Sequence, residues 1–259
     1  MTVPDFHAAK ARGVRLTVLT AYDYTMARLL DAAGVDCLLV GDSLGMVVQG
    51  QADSLAVTME EMIYHTRMVT RGARRALVVT DMPFMSYQVS PQQALENAGR
   101  LMKEGGAHAV KLEGGVRSAA AVTAITTADI PLMGHIGLTP QSVRRFGGFK
   151  VQRDAGKLMD DALAVEAAGA FALVIECVPS DLAARITEAV KIPTIGIGAG
   201  PHCDGQVLVT LDLLGLFDEL RPRFVKQYAD LGREVTRAAE AYCREVREGV
   251  FPAEEHGYR

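Results

Sequence analysis

Ionisable residues close one short apolar run after another in this chain. Asp42 ends CLLVGD and Asp81 ends ALVVTD, Lys111 and Glu113 lie in AVKLE, His135 follows PLMG, and Glu176 ends ALVIE. Each has an ordinary reading taken singly. An aspartate at a strand end often caps the next turn, a lone buried lysine is an ion-pair partner more often than a catalyst, and one histidine can be a satisfied core residue. Five successive runs ending this way do not reduce to five caps. Grouped carboxylates repel unless protons or a cation compensate, so their convergence points to a metal. Oxygen donors without a Cys or paired-His motif suit a hard cation, Mg²⁺ first, with Mn²⁺ or Co²⁺ as substitutes. Mg²⁺ takes one or two protein carboxylates and leaves room for water and substrate. A 2-oxo acid could chelate it through keto and carboxylate oxygens, and a base on the opposite side could remove the adjacent proton.

Such a site needs strands that deliver their C-terminal ends to one place. Runs rich in Val, Ile and Leu predict strands at Leu16–Thr20, Cys37–Gly41, Ala76–Thr80, Ala109–Leu112, Pro131–His135, Ala172–Glu176 and Thr194–Ile197, with an eighth at Gln206–Thr210. Between them lie helical signals. Thr58-x-x-Glu61 is a capping box before Met59–Arg71, and Ser90-Pro91-Gln92-Gln93 opens a helix running to Glu104 and stopped by Gly105-Gly106. Asp154–Ala168 ends at Gly169. Phe224, Tyr228, Leu231, Val235, Ala239, Tyr242 and Val246 recur every three or four residues, which predicts one long amphipathic helix stopped by Gly249.

No linker divides the chain, so residues 1–259 read as a single (β/α)₈ TIM barrel domain with a long C-terminal helix and tail. An open doubly wound sheet is the competing fold. Gly196-x-Gly198-x-Gly200 is not the dinucleotide fingerprint and follows the wrong strand for one. It reads equally as a tight turn or as a ligand contact. In a barrel the strand ends share one mouth. Alternation puts Lys111 and Glu113 on one face of their strand and turns Glu176 inward, away from Ile175. Lys111 is thus expected to meet an anionic substrate, its structural alternative being a pair with Glu113.

The 259 residues are 49% hydrophobic and 22% charged with a net charge of −4, which argues against disorder and coiled coil. Without Lys/Arg clusters, nucleic acid is not an expected partner. Four scattered cysteines fit neither a disulfide framework nor a zinc cluster. Met1 to Gly13 lacks the apolar core of a signal peptide, and no apolar stretch reaches the roughly 20 residues of a membrane span. The expectation is a cytoplasmic protein without membrane association.

Taken together, certain segments resemble 3-methyl-2-oxobutanoate hydroxymethyltransferase, also called ketopantoate hydroxymethyltransferase. They are TAYD (Thr20–Asp23), VGDSLGM (Val40–Met46), DMPFM (Asp81–Met85), KLEGG (Lys111–Gly115), GHIGLTPQSV (Gly134–Val143), ECVP (Glu176–Pro179), IGIGAG (Ile195–Gly200), CDGQVLV (Cys203–Val209) and a PAEEH tail. The resemblance implies a barrel of the phosphoenolpyruvate/pyruvate-like superfamily, one Mg²⁺ per subunit, and 5,10-methylenetetrahydrofolate as one-carbon donor. It implies Asp42 and Asp81 as metal ligands that also meet substrate, and Glu113 as a further metal-site residue acting through water. Ser43 matches a contact to the substrate carboxylate, Lys111 and His135 match substrate-binding residues, and Glu176 matches the proton acceptor. It also implies a homo-oligomer, a decamer. Arg153-Asp154 stands where relatives carry a Gly-containing segment, so the loop Arg144–Lys157 departs from the pattern. A C–C lyase of the isocitrate-lyase/phosphoenolpyruvate-mutase type is the competing enzyme reading, but its K-K-C-G-H segment is absent. A non-catalytic metabolite-binding protein on the same fold is the third.

Overall fold

Each apolar run becomes a parallel strand. All but the first and last, where Thr17 and Gln206 are exposed, are buried on both faces, which explains why those runs are continuously apolar rather than alternating. The computed structural model describes residues 1–219 and 222–258. Its strands are β1 (Leu16–Thr20), β2 (Cys37–Val40), β3 (Leu77–Asp81), β4 (Ala109–Glu113), β5 (Leu132–Gly137), β6 (Ala172–Glu176), β7 (Thr194–Ile197) and β8 (Gly205–Leu208). Each pairs in parallel with the next, and β8 returns to β1 to close the expected barrel. The predicted boundaries shift slightly. β2 stops at Val40, β3 begins at Leu77 and reaches Asp81, and β8 ends at Leu208 because Thr210 already starts the helix Thr210–Leu213.

Helices follow the first six strands, but β7 and β8 are joined by a turn-rich loop. The Gly-x-Gly-x-Gly segment builds it. Gly198 and Gly200 have φ of 61° and 78°, and a Cβ on Gly200 would stand 2.2 Å from Ser180 Oγ, so the tight-turn reading accounts for these glycines.

Local signals place the helices. Thr58 and Glu61 form the reciprocal capping box, with Glu61 N donating to Thr58 Oγ1 at 3.2 Å and Thr58 N to Glu61 Oε2 at 2.8 Å. Ser90 caps Pro91–Arg100 by accepting from Gln93 N at 3.1 Å. That α-helix ends before the predicted Glu104. It loosens into a π-turn, Leu101–Gly105, closed by the left-handed Gly106.

Side chains at alternate positions, among them Leu16, Val18, Leu39, Leu77, Val79, Ala109, Met133, Ala172, Val174, Ile195 and Val207, join one buried cluster. At the N-terminal ends of the strands the cluster takes in Phe6, from the helix Val3–Ala11. Phe6 is fully buried and meets Phe171 edge-on at 5.7 Å. Burial of a phenyl ring stabilises by about 2–3 kcal/mol. Continuing the same alternation past the core leads from Leu77 and Val79 to Asp81, from Ala109 to Lys111 and Glu113, from Met133 to His135, and from Val174 to Glu176. The hydrophobic core and the polar mouth lie on the same strand faces.

The chain separates into two compact units, Met1–Val209, which contains the whole barrel, and Thr210–Arg259. In the second, the long helix is Leu231–Glu248, ended as predicted by the left-handed Gly249. Phe224 and Tyr228, expected on its apolar stripe, precede it. The N–H groups of Tyr228, Leu231 and Gly232 donate to the carbonyls of Leu213, Leu214 and Gly215 at 2.8–3.0 Å, so the backbone there is committed to the preceding segment and not to a helical ladder. No described helix is long and apolar enough to cross a membrane.

Candidate active site

Strand register explains the first contact of the mouth. Asp81 and Lys111 are direct neighbours across β3 and β4, and Lys111 Nζ lies 2.9 Å from Asp81 Oδ1 with both side chains almost wholly buried. The structural partner of Lys111 is therefore Asp81, not Glu113. Asp42 lies two residues beyond β2, where its backbone N–H donates to Asp81 Oδ2 at 3.1 Å. Ser43, next to it, shares a hydrogen bond between its hydroxyl and that of Tyr22 at 2.9 Å.

A second line of contacts runs from Lys111 to the opposite wall. Its Nζ is 3.2 Å from His135 Nδ1, and because an ammonium only donates, that nitrogen accepts. In the neutral ring Nε2 then carries the hydrogen. It lies 3.2 Å from Glu176 Oε2, yet its direction leaves it without a hydrogen-bond partner. Glu113, beside His135 in register, has Oε1 3.8 Å from His135 Nδ1 and accepts from Gln141 N through Oε2 at 3.0 Å. All the expected site residues except Ser43 thus gather in one network; Ser43 neighbours Asp42 in the chain and bonds Tyr22 instead.

The electrostatics follow from burying four carboxylates with one ammonium. Burial, then the charge of Asp81, pushes Asp42 up to about 7. Burial and then Asp42 hold Glu113 well above the usual carboxylate range. Burial pushes Glu176 up to about 7 against the pull of Lys111, although its side chain keeps 15% of its exposure. Burial disfavours the Lys111 ammonium, but Asp81, Glu113 and Asp42 together hold its pKa above the ordinary lysine value. Burial and then Lys111 hold His135 well below the imidazole range, so the ring is neutral at pH 7.

Two participants were not singled out from sequence. Gln141 is buried and donates through Nε2 to Asp42 Oδ2 at 2.8 Å and to the Met82 carbonyl at 2.9 Å. Tyr87 donates its hydroxyl to Gln141 Oε1 at 2.7 Å, and the same hydroxyl accepts from Glu113 N at 3.2 Å. Both lie in loops after strands, outside the pattern of charged strand ends. The available signal was an amide within GLTPQS, where Pro140 opens a tight 3₁₀ turn. Gly137 makes that loop possible, since its φ is 93° and a Cβ would stand 2.2 Å from the Glu176 carbonyl oxygen. In the Arg144–Lys157 loop, Gln152 N donates to the Cys177 carbonyl at 2.9 Å and Asp154 caps Ala155–Ala167, so Arg153-Asp154 acts as a helix entry.

Among the described residues no three Asp, Glu, His or Cys side chains converge as a metal cage. The donor set nevertheless fits a cation that needs only one or two protein carboxylates. Asp42 and Asp81 are adjacent, buried and oxygen-donating, and Asp81 Oδ1 has no hydrogen-bond partner beyond its ion pair with Lys111.

Over residues 1–254 the chain matches the ketopantoate hydroxymethyltransferase family. The chain belongs to this family. A relative from Pelobacter propionicus is 57% identical over 261 residues, covering 100% of this chain and 97% of the relative. One from Moorella thermoacetica is 58% identical over 263 residues, covering 100% and 98%. Both bear the name 3-methyl-2-oxobutanoate hydroxymethyltransferase. This ketopantoate hydroxymethyltransferase family member is accordingly a transferase. Its fold is shared with a phosphonopyruvate hydrolase solved with oxalate and Mg²⁺ (TM-score 0.65, 14% identity, covering 100% of this chain and 92% of that one). It is also shared with 2,3-dimethylmalate lyase of the PEP mutase/isocitrate lyase superfamily (TM-score 0.62, 17% identity, 99% and 91% covered). These likenesses confirm the barrel class; the lyase reading gains no more than a common fold.

Proposed function

We propose that this enzyme transfers a hydroxymethyl group from 5,10-methylenetetrahydrofolate to 3-methyl-2-oxobutanoate, giving 2-dehydropantoate for pantothenate biosynthesis. The observation that carries the reading beyond family membership is the partly exposed Glu176 set across His135 from the buried Asp42–Asp81–Lys111 cluster. Asp42 and Asp81 would hold Mg²⁺, or Mn²⁺ or Co²⁺ in its place, with Glu113 behind them and Ser43 toward the substrate carboxylate. When bound, the cation polarises the 2-oxo group and makes the neighbouring hydrogen more acidic.

The protein's own groups supply the remainder. Glu176 takes the single C3 hydrogen as a proton, and the C–H electron pair passes into the enolate. Lys111, fixed as an ammonium, opposes the charge that develops on oxygen. The neutral His135 ring offers its unsatisfied Nε2–H to a substrate oxygen. C3 then bonds to the one-carbon unit as the two C–N bonds to the folate break. Water supplies the oxygen and the two hydrogens that leave on tetrahydrofolate, and the proton held by Glu176 completes the hydroxyl. A cytoplasmic homo-oligomer, a decamer, belongs to the same proposal, and the exposed Val235, Tyr242 and Val246 on the long helix support it.

The pH dependence of proton removal tests this reading. Only the carboxylate form of Glu176 accepts a proton, and its pKa lies at about 7. Exchange of the C3 hydrogen in D₂O with Mg²⁺ should therefore rise about tenfold per unit below neutrality and level off above it. A rate that is flat from about pH 5 to 8, where an ordinary glutamate is already ionised, would contradict a base with a raised pKa, and wild-type exchange in Glu176→Gln would remove Glu176 as the base.

A further inference from the structure

Gln141 has no place in the chemistry above, yet its hydrogen bonding is complete in every direction. Nε2 faces two acceptors, Asp42 Oδ2 and the Met82 carbonyl, while Oε1 faces two donors, the Tyr87 hydroxyl and Gln88 Nε2 at 3.0 Å. Those neighbours settle which end of the amide is nitrogen. Its backbone N–H also donates to Glu113 Oε2. One residue after β5 therefore ties the carboxylates that follow β2 and end β4. The 3₁₀ turn Pro140–Ser142 fixes its backbone, with Ser142 N donating to the Thr139 carbonyl at 2.8 Å.

We propose that Gln141 is the positioning residue of the cation site: by holding Asp42 through its side chain and Glu113 through its backbone, it sets both carboxylates before a divalent cation and the 2-oxo acid arrive. The inference rests on the proposed function, since it presumes that Asp42 takes a cation. Asp42 lies past the end of its strand, so sheet hydrogen bonding does not fix its side chain, and Gln141 takes up that task. Holding Oδ2 from the side of Met82 restricts the carboxylate rotation that a cation would otherwise have to freeze on binding. Tyr87 orients the amide in turn, a chain of supports in which each member is satisfied by the next.

The test replaces Gln141 by Met, which keeps similar volume and the backbone N–H to Glu113 but loses the amide. Mn²⁺ is titrated in the presence of 3-methyl-2-oxobutanoate without folate, and free Mn²⁺ is read by electron paramagnetic resonance. Affinity should fall about 10- to 100-fold, the usual cost of losing a group that orients a ligand. In turnover assays the metal concentration for half-activation should rise in step, while kcat at saturating Mn²⁺ stays within a few-fold of wild type. A merely structural role would scale kcat with the folded fraction and leave that half-activation point unmoved. If Gln141→Met does not fold, Tyr87→Phe decides, because it removes one donor to Oε1 and keeps the ring; it should weaken Mn²⁺ several-fold. Wild-type affinity in a folded Gln141→Met, or in Tyr87→Phe where that must serve, overturns the inference and leaves the proposed function standing. Absence of Mn²⁺ binding by the wild type overturns both.

Discussion

Glu176→Gln should lose C3 hydrogen exchange by about 10²- to 10⁴-fold, the range that a positioned general base contributes, while still binding the divalent cation with 3-methyl-2-oxobutanoate. The substitution keeps shape and removes only the proton-accepting charge. Glu176 ends β6 at the inward position of the alternation, keeps partial exposure at the mouth, and has a carboxyl pushed up to about 7 by burial. A base of that strength is better matched to a weakly acidic C–H than a solvated glutamate would be. Measuring exchange rather than turnover isolates proton removal from one-carbon transfer. Wild-type exchange in the variant would move the base elsewhere, and His135, 3.2 Å away, would be next to test.

Lys111→Met should cost both stability and turnover, since the structure gives the lysine two tasks. Its ammonium is paired with Asp81 at 2.9 Å and faces Asp42 and Glu113 as well. Removing one partner of a buried ion pair typically destabilises by about 3–5 kcal/mol, which in a chain of this size lowers Tm by roughly 10 °C. The same loss takes away the positive charge proposed to oppose the enolate. Saturating Mg²⁺ should restore part of the Tm, because a divalent cation on Asp42 and Asp81 replaces the missing charge, but it should not restore turnover. Thermal unfolding with and without Mg²⁺, alongside steady-state rates, checks both halves. An unchanged Tm would mean that the Asp81 pair contributes nothing to the fold.

What could be read from sequence follows from how local each cause is. Buried parallel strands announce themselves as uninterrupted apolar runs, so all eight were legible to within a few residues, as were the caps at Thr58 and Ser90. Alternation through AVKLE and ALVIE carried the inward direction of Lys111, Glu113 and Glu176 from core to mouth. The pairing of Lys111 was not legible, because alternation relates residues on one strand, whereas Asp81 meets Lys111 through register between two. The start of the long helix was misplaced for a similar reason. Tyr228 continues the apolar period, but its N–H is committed to Leu213, a choice no period records. No helix follows β7, since Gly198 and Gly200 turn the chain back into β8. Gln141 and Tyr87 stayed hidden because uncharged residues in loops become informative only once the carboxylates they hold are placed.

Identification of the product tests the proposed reaction. The purified enzyme is incubated with 3-methyl-2-oxobutanoate, Mg²⁺ and 5,10-methylenetetrahydrofolate carrying ¹³C in the methylene carbon, and the products are resolved by mass spectrometry and NMR. The expected result is 2-dehydropantoate with the label in its hydroxymethyl carbon, one tetrahydrofolate released for each product formed, and no product when either the 2-oxo acid or the folate is withheld. Cleavage of a carbon–carbon bond in the 2-oxo acid, or recovery of both substrates unchanged from metal-loaded, folded enzyme, would contradict it.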